Sequence, residues 1–171
     1  TLSGYPDMAI GNVVGSNIAN LLVTKAATIE ASISTTGTQA YNGTVTSQGG
    51  SHTFTGTTVS FANTTTALTG DGNAVVVTGN LDLAGAASGL ASLSVSGTSD
   101  LGGNVTTSGN QTYTGAVTLS GGNRTLSADT VNFTSTVDGG SAGLAITGDA
   151  EINAGMTNLT TVSVSGSTAL T

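Results

Sequence analysis

The chain predicts an all-β fold built by stacking, a β-solenoid (parallel β-helix) of roughly 15–22 residues per coil. Three observations predict it. The first is a long internal repeat. Residues 39–61 read QAYNGTVTSQGGSHTFTGTTVSF and residues 111–133 read QTYTGAVTLSGGNRTLSADTVNF, 72 positions apart throughout. The copies run on after a three-residue slip: Leu90, Leu93, Val95, Gly97 and Leu101 return as Leu159, Val162, Val164, Gly166 and Leu170. The second is the short apolar beat inside the repeat, at Tyr41, Val45, Phe61, Val77, Val95, Tyr113, Val117, Phe133, Ile146 and Val164. The third is composition. Only 6% of residues are charged and 37% hydrophobic, with Thr, Ser, Gly and Asn filling the remainder. Long repeats with short beats mark quasi-one-dimensional folds, in which each unit buries its apolar face on its neighbours.

Taken in order, residues 1–23 stand apart as an apolar segment. Pro6-Asp7 suits a helix start, and Ile10, Val13, Val14, Ile18, Leu21 and Leu22 fall at helical spacing on one face. A solenoid has open ends with unpaired strand edges, so a helix laid over the first coil is expected here as a cap. A strand docked into a neighbouring copy is the other reading. Residues 24–171 form the repeat domain, about two copies of a roughly 70-residue unit. Leu21, Val23, Ile29 and Ile33 stand 72 residues before Leu93, Val95, Leu101 and Val105, which starts the solenoid register near Leu21.

The strands follow from alternation. Tyr41–Val45, Val59–Phe61, Val75–Val77, Leu81–Leu83, Leu93–Val95, Val117–Leu119, Val131–Phe133, Leu144–Ile146 and Val162–Val164 read as short alternating runs, with apolar residues two apart in all but Tyr41–Val45, where they are four apart, the pattern of a strand with one buried face. Glycine turns separate them: Gly49-Gly50, Gly70-Asp71-Gly72, Gly102-Gly103, Gly121-Gly122 and Gly139-Gly140. The ten beat residues above are the expected core, with Tyr41/Tyr113 and Phe61/Phe133 at repeat-matched positions. A set of β-sandwich repeats is the alternative architecture.

Charge narrows the function. The net charge is −7 and the only bases besides His52 are Lys25 and Arg124, so the chain lacks the basic footprint that a nucleic-acid binder uses on phosphates. The same lack argues against anionic membrane surfaces, and no membrane insertion is expected. No cysteine is present, which rules out disulfides and thiolate metal sites.

No catalytic residue and no cofactor is expected. His52, in Gly50-Ser51-His52-Thr53, has Arg124 as its repeat equivalent, and both read as residues of solvent-facing turns. No Gly-x-Ser-x-Gly elbow appears. No metal centre is expected either. The nearest approach to one is Asp149-Ala150-Glu151, whose carboxylates alternate along a strand and share a face, with Asp71-Gly72-Asn73 as a second set of oxygens. Asn-x-Thr triplets such as Asn42-Gly43-Thr44 and Asn132-Phe133-Thr134 match the N-glycosylation acceptor pattern, as composition alone would produce.

Residues 94–120 (SVSGTSDLGGNVTTSGNQTYTGAVTLS) followed by 130–139 (TVNFTSTVDG) resemble the strand repeats of large bacterial surface adhesins, the filamentous haemagglutinin and autotransporter-like proteins. The resemblance covers about residues 24–171. It implies an extracellular or cell-surface location, a long β-helical stalk, and a structural or adhesive role, with the chain itself or a host receptor as partner. A self-assembling filament subunit, with residues 1–23 docked into the next copy, is one alternative. A glycan- or ice-binding solenoid is another; regular T-x-T on every coil would favour it, and Thr53-Phe54-Thr55, Thr64-Thr65-Thr66 and Thr112-Tyr113-Thr114 do not look evenly phased along the chain. Residues 4–22 (GYPDMAIGNVVGSNIANLL) resemble part of the α-repeat of cation/calcium antiporters, with Asn12, Ser16 and Asn17 at the matching polar positions. Those proteins need many membrane spans, and the apolar stretch from Ala9 to Val23 is too short to cross alone.

Overall fold

Apolar residues two apart, separated by Thr, Ser or Asn, give strands only a few residues long, and each strand finds its partners in the coils before and after it. The computed structural model describes residues 8–10 and 18–171, and of these the side chains from residue 18 onward. They contain no helix. The chain winds about 8 turns of a β-solenoid, about 19 residues each.

The strands come in threes. After β1 (Met8–Ile10), one coil holds β2 (Leu21–Val23), β3 (Ala27–Ile29) and β4 (Ile33–Ser34). The next holds β5 (Thr38–Tyr41), β6 (Val45–Ser47) and the first half of β7 (His52–Phe61). The second half of β7, β8 (Thr66–Thr69) and the start of β9 (Val75–Leu83) make the third. The end of β9, β10 (Ala86–Leu90) and β11 (Leu93–Val95) make the fourth, followed by β12 (Ser99–Leu101), β13 (Val105–Thr107) and β14 (Gln111–Tyr113). Then come β15 (Val117–Leu119) with the bent β16 (Arg124–Phe133), the long β17 (Val137–Ile152), which turns two corners, and finally β18 (Met156–Val164) with β19 (Thr168–Leu170).

Every pairing among these strands is parallel, as stacked coils require. The register resolves them into three columns. Inward residues of the first column run Leu21, Gln39, Val59, Leu81, Ser99, Val117 and Val137. Those of the second run Ala27, Val45, Leu68, Ala87, Val105, Leu126 and Ile146. Those of the third run Ile33, Phe54, Val77, Val95, Tyr113, Phe133 and Ile152. All but Ile152 are buried and form one continuous core. Steps along these three columns vary from 18 residues, Ala27 to Val45, to 23, Val45 to Leu68, because extra residues are absorbed at corners.

The capping helix is corrected where it can be seen. Met8–Ile10 forms a strand, paired in parallel with Ala27–Ile29. The open edge of β3 takes a ladder partner, and Met8-Ala9-Ile10 alternates as a strand does. Leu21 and Leu22 do not share an apolar face either: Leu21 is buried, while Leu22 points outward and is 37% exposed, because successive strand residues point to opposite sides. Ile18 is half-buried. Val13 and Val14, and the antiporter-like Asn12, Ser16 and Asn17, lie outside the described residues.

The 72-residue repeat does not span a whole number of coils. Gln39-Ala40-Tyr41 lies in the first column, whereas its copy Gln111-Thr112-Tyr113 lies in the third. Val45–Ser47 of the second column returns as Val117–Leu119 of the first. His52–Thr55 of the third returns as Arg124–Ser127 of the second. The second copy is therefore rotated by one side of the coil, and each motif sits on two different sides.

Candidate functional site

Side chains inside the coil make the most elaborate constellation in the chain. Gln39 is completely buried. Its Nε2 donates to the carbonyl oxygens of Ile33 (3.2 Å) and Thr55 (2.7 Å), and its Oε1 accepts the Tyr41 hydroxyl at 2.9 Å. Gln111 repeats this on another side of the coil. Its Nε2 donates to Val105 O (3.1 Å) and Ser127 O (2.9 Å), and its Oε1 accepts from Tyr113 at 3.1 Å. Thr35 and Thr107 complete the two sets, each hydroxyl donating to the carbonyl of Gly37 or Gly109. A carboxamide has two N–H donors and an acceptor oxygen, so it satisfies several buried groups at a corner where the strand ladder breaks.

The aromatic rings fill the space beside these amides. Tyr41 stacks on Phe61 with centroids 5.3 Å apart and planes 15° apart; Tyr113 stacks on Phe133 at 5.5 Å and 17°. Phe54 meets Tyr41 and Phe61 edge-on, at 5.8 and 5.5 Å. Burial pushes the Tyr41 and Tyr113 phenols well above the ordinary tyrosine range. These rings are packing residues and offer no exposed platform.

Of the core residues named from sequence, Tyr41, Val45, Phe61, Val77, Val95, Tyr113, Val117, Phe133 and Ile146 are buried and Val164 is half-buried. Gln39, Gln111, Thr35 and Thr107 were missing from that set. Their polarity masks them, but each Gln precedes a core Tyr by two positions in both copies, the spacing of two inward residues on one strand.

His52 and Arg124 are not solvent-facing. His52 is buried, and its Nε2 lies 2.9 Å from the Gln48 carbonyl oxygen. Arg124 is half-buried and donates to the carbonyls of Leu101 (2.9 Å), Asn123 (2.7 Å) and Ser120. Each follows a Gly-Gly corner, with φ of 81° and 154° at Gly49 and Gly50, and 73° and 118° at Gly121 and Gly122. The extra corner residues leave carbonyls without ladder partners, and the long side chain folds back to the carbonyl four residues earlier. Backbone satisfaction, not solvation, sets both residues.

Asp149 and Glu151 flank buried Ala150 and both point outward. Each is already engaged with a neighbouring coil. Asp149 Oδ1 accepts from the Ser167 N–H at 2.7 Å, and Glu151 accepts from Asn132 Nδ2. Asp149 matches Asn80, whose Oδ1 takes the Thr98 N–H at 3.0 Å. Gly148 and Gly79 precede them with φ of 121° and 130°, and a Cβ at Gly79 would meet the Gly56 carbonyl oxygen at 1.8 Å. The acid is thus one version of a corner tie that elsewhere is an amide. No three His, Cys, Asp or Glu residues converge on a metal-sized space among the described residues.

Outside, the register keeps the threonines unevenly phased. Thr53 and Thr112 stand in one file of the third column, with Val76 and Ser94 between them. Ser34, Thr55 and Thr78 form a second file beside it. Thr64-Thr65-Thr66 lies at a corner before and at the start of β8 and belongs to neither. The first column is more acidic outside: Asp82 and Asp100 are register neighbours, and Ser60 donates to Asp82 at 2.9 Å. Two shallow grooves mark the surface, one lined by Gly72, Gly89, Leu90 and Thr106–Ser108, the other by Asn123–Thr125, Gly143–Ala145, Thr161 and Ser163. No helix among the described residues is long and apolar enough to cross a membrane.

No known protein family, no curated protein and no solved structure matches the chain.

Proposed function

We propose that the chain is a structural or adhesive stalk segment of a bacterial cell-surface protein, working through length and surface rather than through a reaction. The observation that carries this reading is the rotated repeat. A motif that is laid on two different sides of the coil, with its buried Gln-Tyr-Phe set intact, adds length without needing any one side to keep a fixed composition. That suits selection for a rod. A site with fixed geometry would require copies to return to the same side.

Rigidity supports the same reading. Each coil is tied to the next by strand ladders, by side-chain ties such as Asn20 to Thr38 and Asn104 to Thr125, and by a continuous core. Stacked strands lie about 4.8 Å apart, so eight coils give a rod of roughly 40 Å. Low charge and abundant outward Thr and Ser suit such a rod to water along its sides.

Fusing one, two and three tandem copies between an outer-membrane anchor and a terminal epitope tests the stalk. The epitope should move outward by about one rod length per copy in electron micrographs, with adherence to host cells rising or holding as it moves. An epitope whose height does not change with copy number would sink the reading.

A further inference from the structure

We infer that Asn110 is an acceptor for an N-linked sugar on the folded chain. The described residues contain seven Asn-x-Thr triplets, beginning at Asn42, Asn63, Asn104, Asn110, Asn123, Asn132 and Asn158. Sequence alone cannot rank them, but the structure does. In five of the seven the asparagine side chain is already bonded. Asn63 donates to the Thr44 hydroxyl and Asn132 to Glu151, while Asn158 donates to Asp138. Asn104 accepts the Thr125 N–H and Asn123 accepts the Gly143 N–H. The Asn42 side chain is free, but its partner Thr44 donates to the Thr66 carbonyl and accepts from Asn63.

Asn110-Gln111-Thr112 is different. Asn110 is exposed at the corner before β14, and Thr112 lies on the outer side of the same strand. Within the described residues neither side chain makes a hydrogen bond. Gln111 between them is completely buried and held by the bonds already described, so the triplet is pinned in extended form with Asn110 and Thr112 on the outer side, two residues apart. The backbone there is fixed too, because the Leu93 N–H donates to the Asn110 carbonyl at 3.1 Å. An enzyme that must hold the hydroxyl and the amide together finds both presented at once, with no bond to break.

The donor would be a sugar activated as a glycosyl diphosphate. The Asn110 Nδ2 forms a bond to the anomeric carbon, and the carbon–oxygen bond to the diphosphate breaks. The diphosphate leaves with that electron pair, and the nitrogen loses one proton to a base of the transferase. At the other six triplets a side-chain hydrogen bond must first open. One such bond corresponds to roughly a tenfold reduction in the accessible fraction.

The test uses the purified chain, UDP-glucose and a soluble N-glycosyltransferase selected because it modifies peptides carrying each of the seven triplets. The folded chain is then treated and its peptides mapped by mass. Hexose should accumulate at Asn110 about tenfold faster than at any other triplet. Asn110→Gln and Thr112→Val should abolish that product, and Thr112→Ser should retain it, with unchanged melting in all three because both side chains point outward. Equal occupancy across the triplets, preference for another triplet, or no modification of the folded chain would each overturn the assignment.

Discussion

Inside the core the Oε1 of Gln111 accepts the hydroxyl of Tyr113 at 3.1 Å, while the same carboxamide donates to two backbone carbonyls on stacked strands. Replacing Gln111 with Ala would leave the Tyr113 hydroxyl without its partner and would take one donor from each of the Val105 and Ser127 carbonyls. A buried orphan costs about 1–3 kcal/mol and each further hydrogen bond lost about 1 kcal/mol, so a loss of about 2–4 kcal/mol is expected in urea unfolding. The double-mutant cycle with Tyr113→Phe should show coupling of about 1 kcal/mol, since both changes remove the same bond. Additive losses would mean that the amide and the phenol act separately.

Phe133→Ala should cost about 3–5 kcal/mol, as large-to-small changes in a closed core do. The loss should be local. In a stacked fold stability is a sum over neighbouring units, so hydrogen exchange should quicken in β14 to β17 while β2 to β6 stay protected. Uniform quickening along the whole rod would contradict that division.

The beat of inward residues was readable because strand alternation has a period of two and the apolar residues keep it. The rotation of the repeat was not. An offset of 72 states a length, and the side on which a copy lands depends on how many residues each corner absorbs, which varies from coil to coil. Polarity hid the rest. Gln39 and Gln111 are absent from the expected core, and His52 reads as a solvent-facing turn residue, because burial of a polar group depends on carbonyls brought close by the third dimension. The helical reading of residues 7–22 rested on a short apolar run, where helix and strand spacings overlap: Ile10 and Leu21 suit either, and the unpaired edge of β3 decides for a strand at Met8–Ile10.

Arg124→Ala should destabilise the chain by about 1–3 kcal/mol, because three carbonyls lose a donor and those of Leu101 and Ser120 are part-buried. Arg124→Lys should recover only part of it, since an ammonium cannot reproduce the planar fork that serves Leu101 and Asn123 together. His52→Ala should be costly as well, through the buried Gln48 contact. Melting temperatures unchanged in both alanine variants would restore the solvent-facing reading of the two corners.

Alkali should unfold the rod through Tyr41 and Tyr113. Burial raises both phenols above their usual value, so the folded state favours the protonated form. The sign follows from linkage: this contribution is fully present below the unfolded tyrosine value of about 10 and is lost as pH climbs above it toward the folded value. Stability should fall steeply above that point, and less so in Tyr41→Phe and Tyr113→Phe. At the acid end the effect is opposite. The Gly140 N–H and the Asn158 amide hold Asp138 below the usual carboxylate range, so its contribution is present above the unfolded value and fades as pH falls through the folded one. Solvent around this half-buried surface carboxylate keeps that effect small.

Ser47 and Ser99 are the two places where the core works against itself. Both are inward and buried, and neither hydroxyl has a hydrogen-bond partner among the described residues. Ser99 sits in a file between Leu81 and Val117, and Ser47 lies against Ile29. A buried hydroxyl without a partner costs about 1–3 kcal/mol, whereas Ala at the same place gives up one oxygen atom and leaves a small void. Ser47→Ala and Ser99→Ala should therefore each raise stability by about 1 kcal/mol, and the two gains should add because the sites are three coils apart. Ser99→Val should gain at least as much, since the next coil already holds Val117 at the same inward position. Urea midpoints of the three single variants and the double measure this directly. A loss of stability in Ser99→Ala would show that the hydroxyl is satisfied after all by a water inside the coil, and that this part of the core is wet.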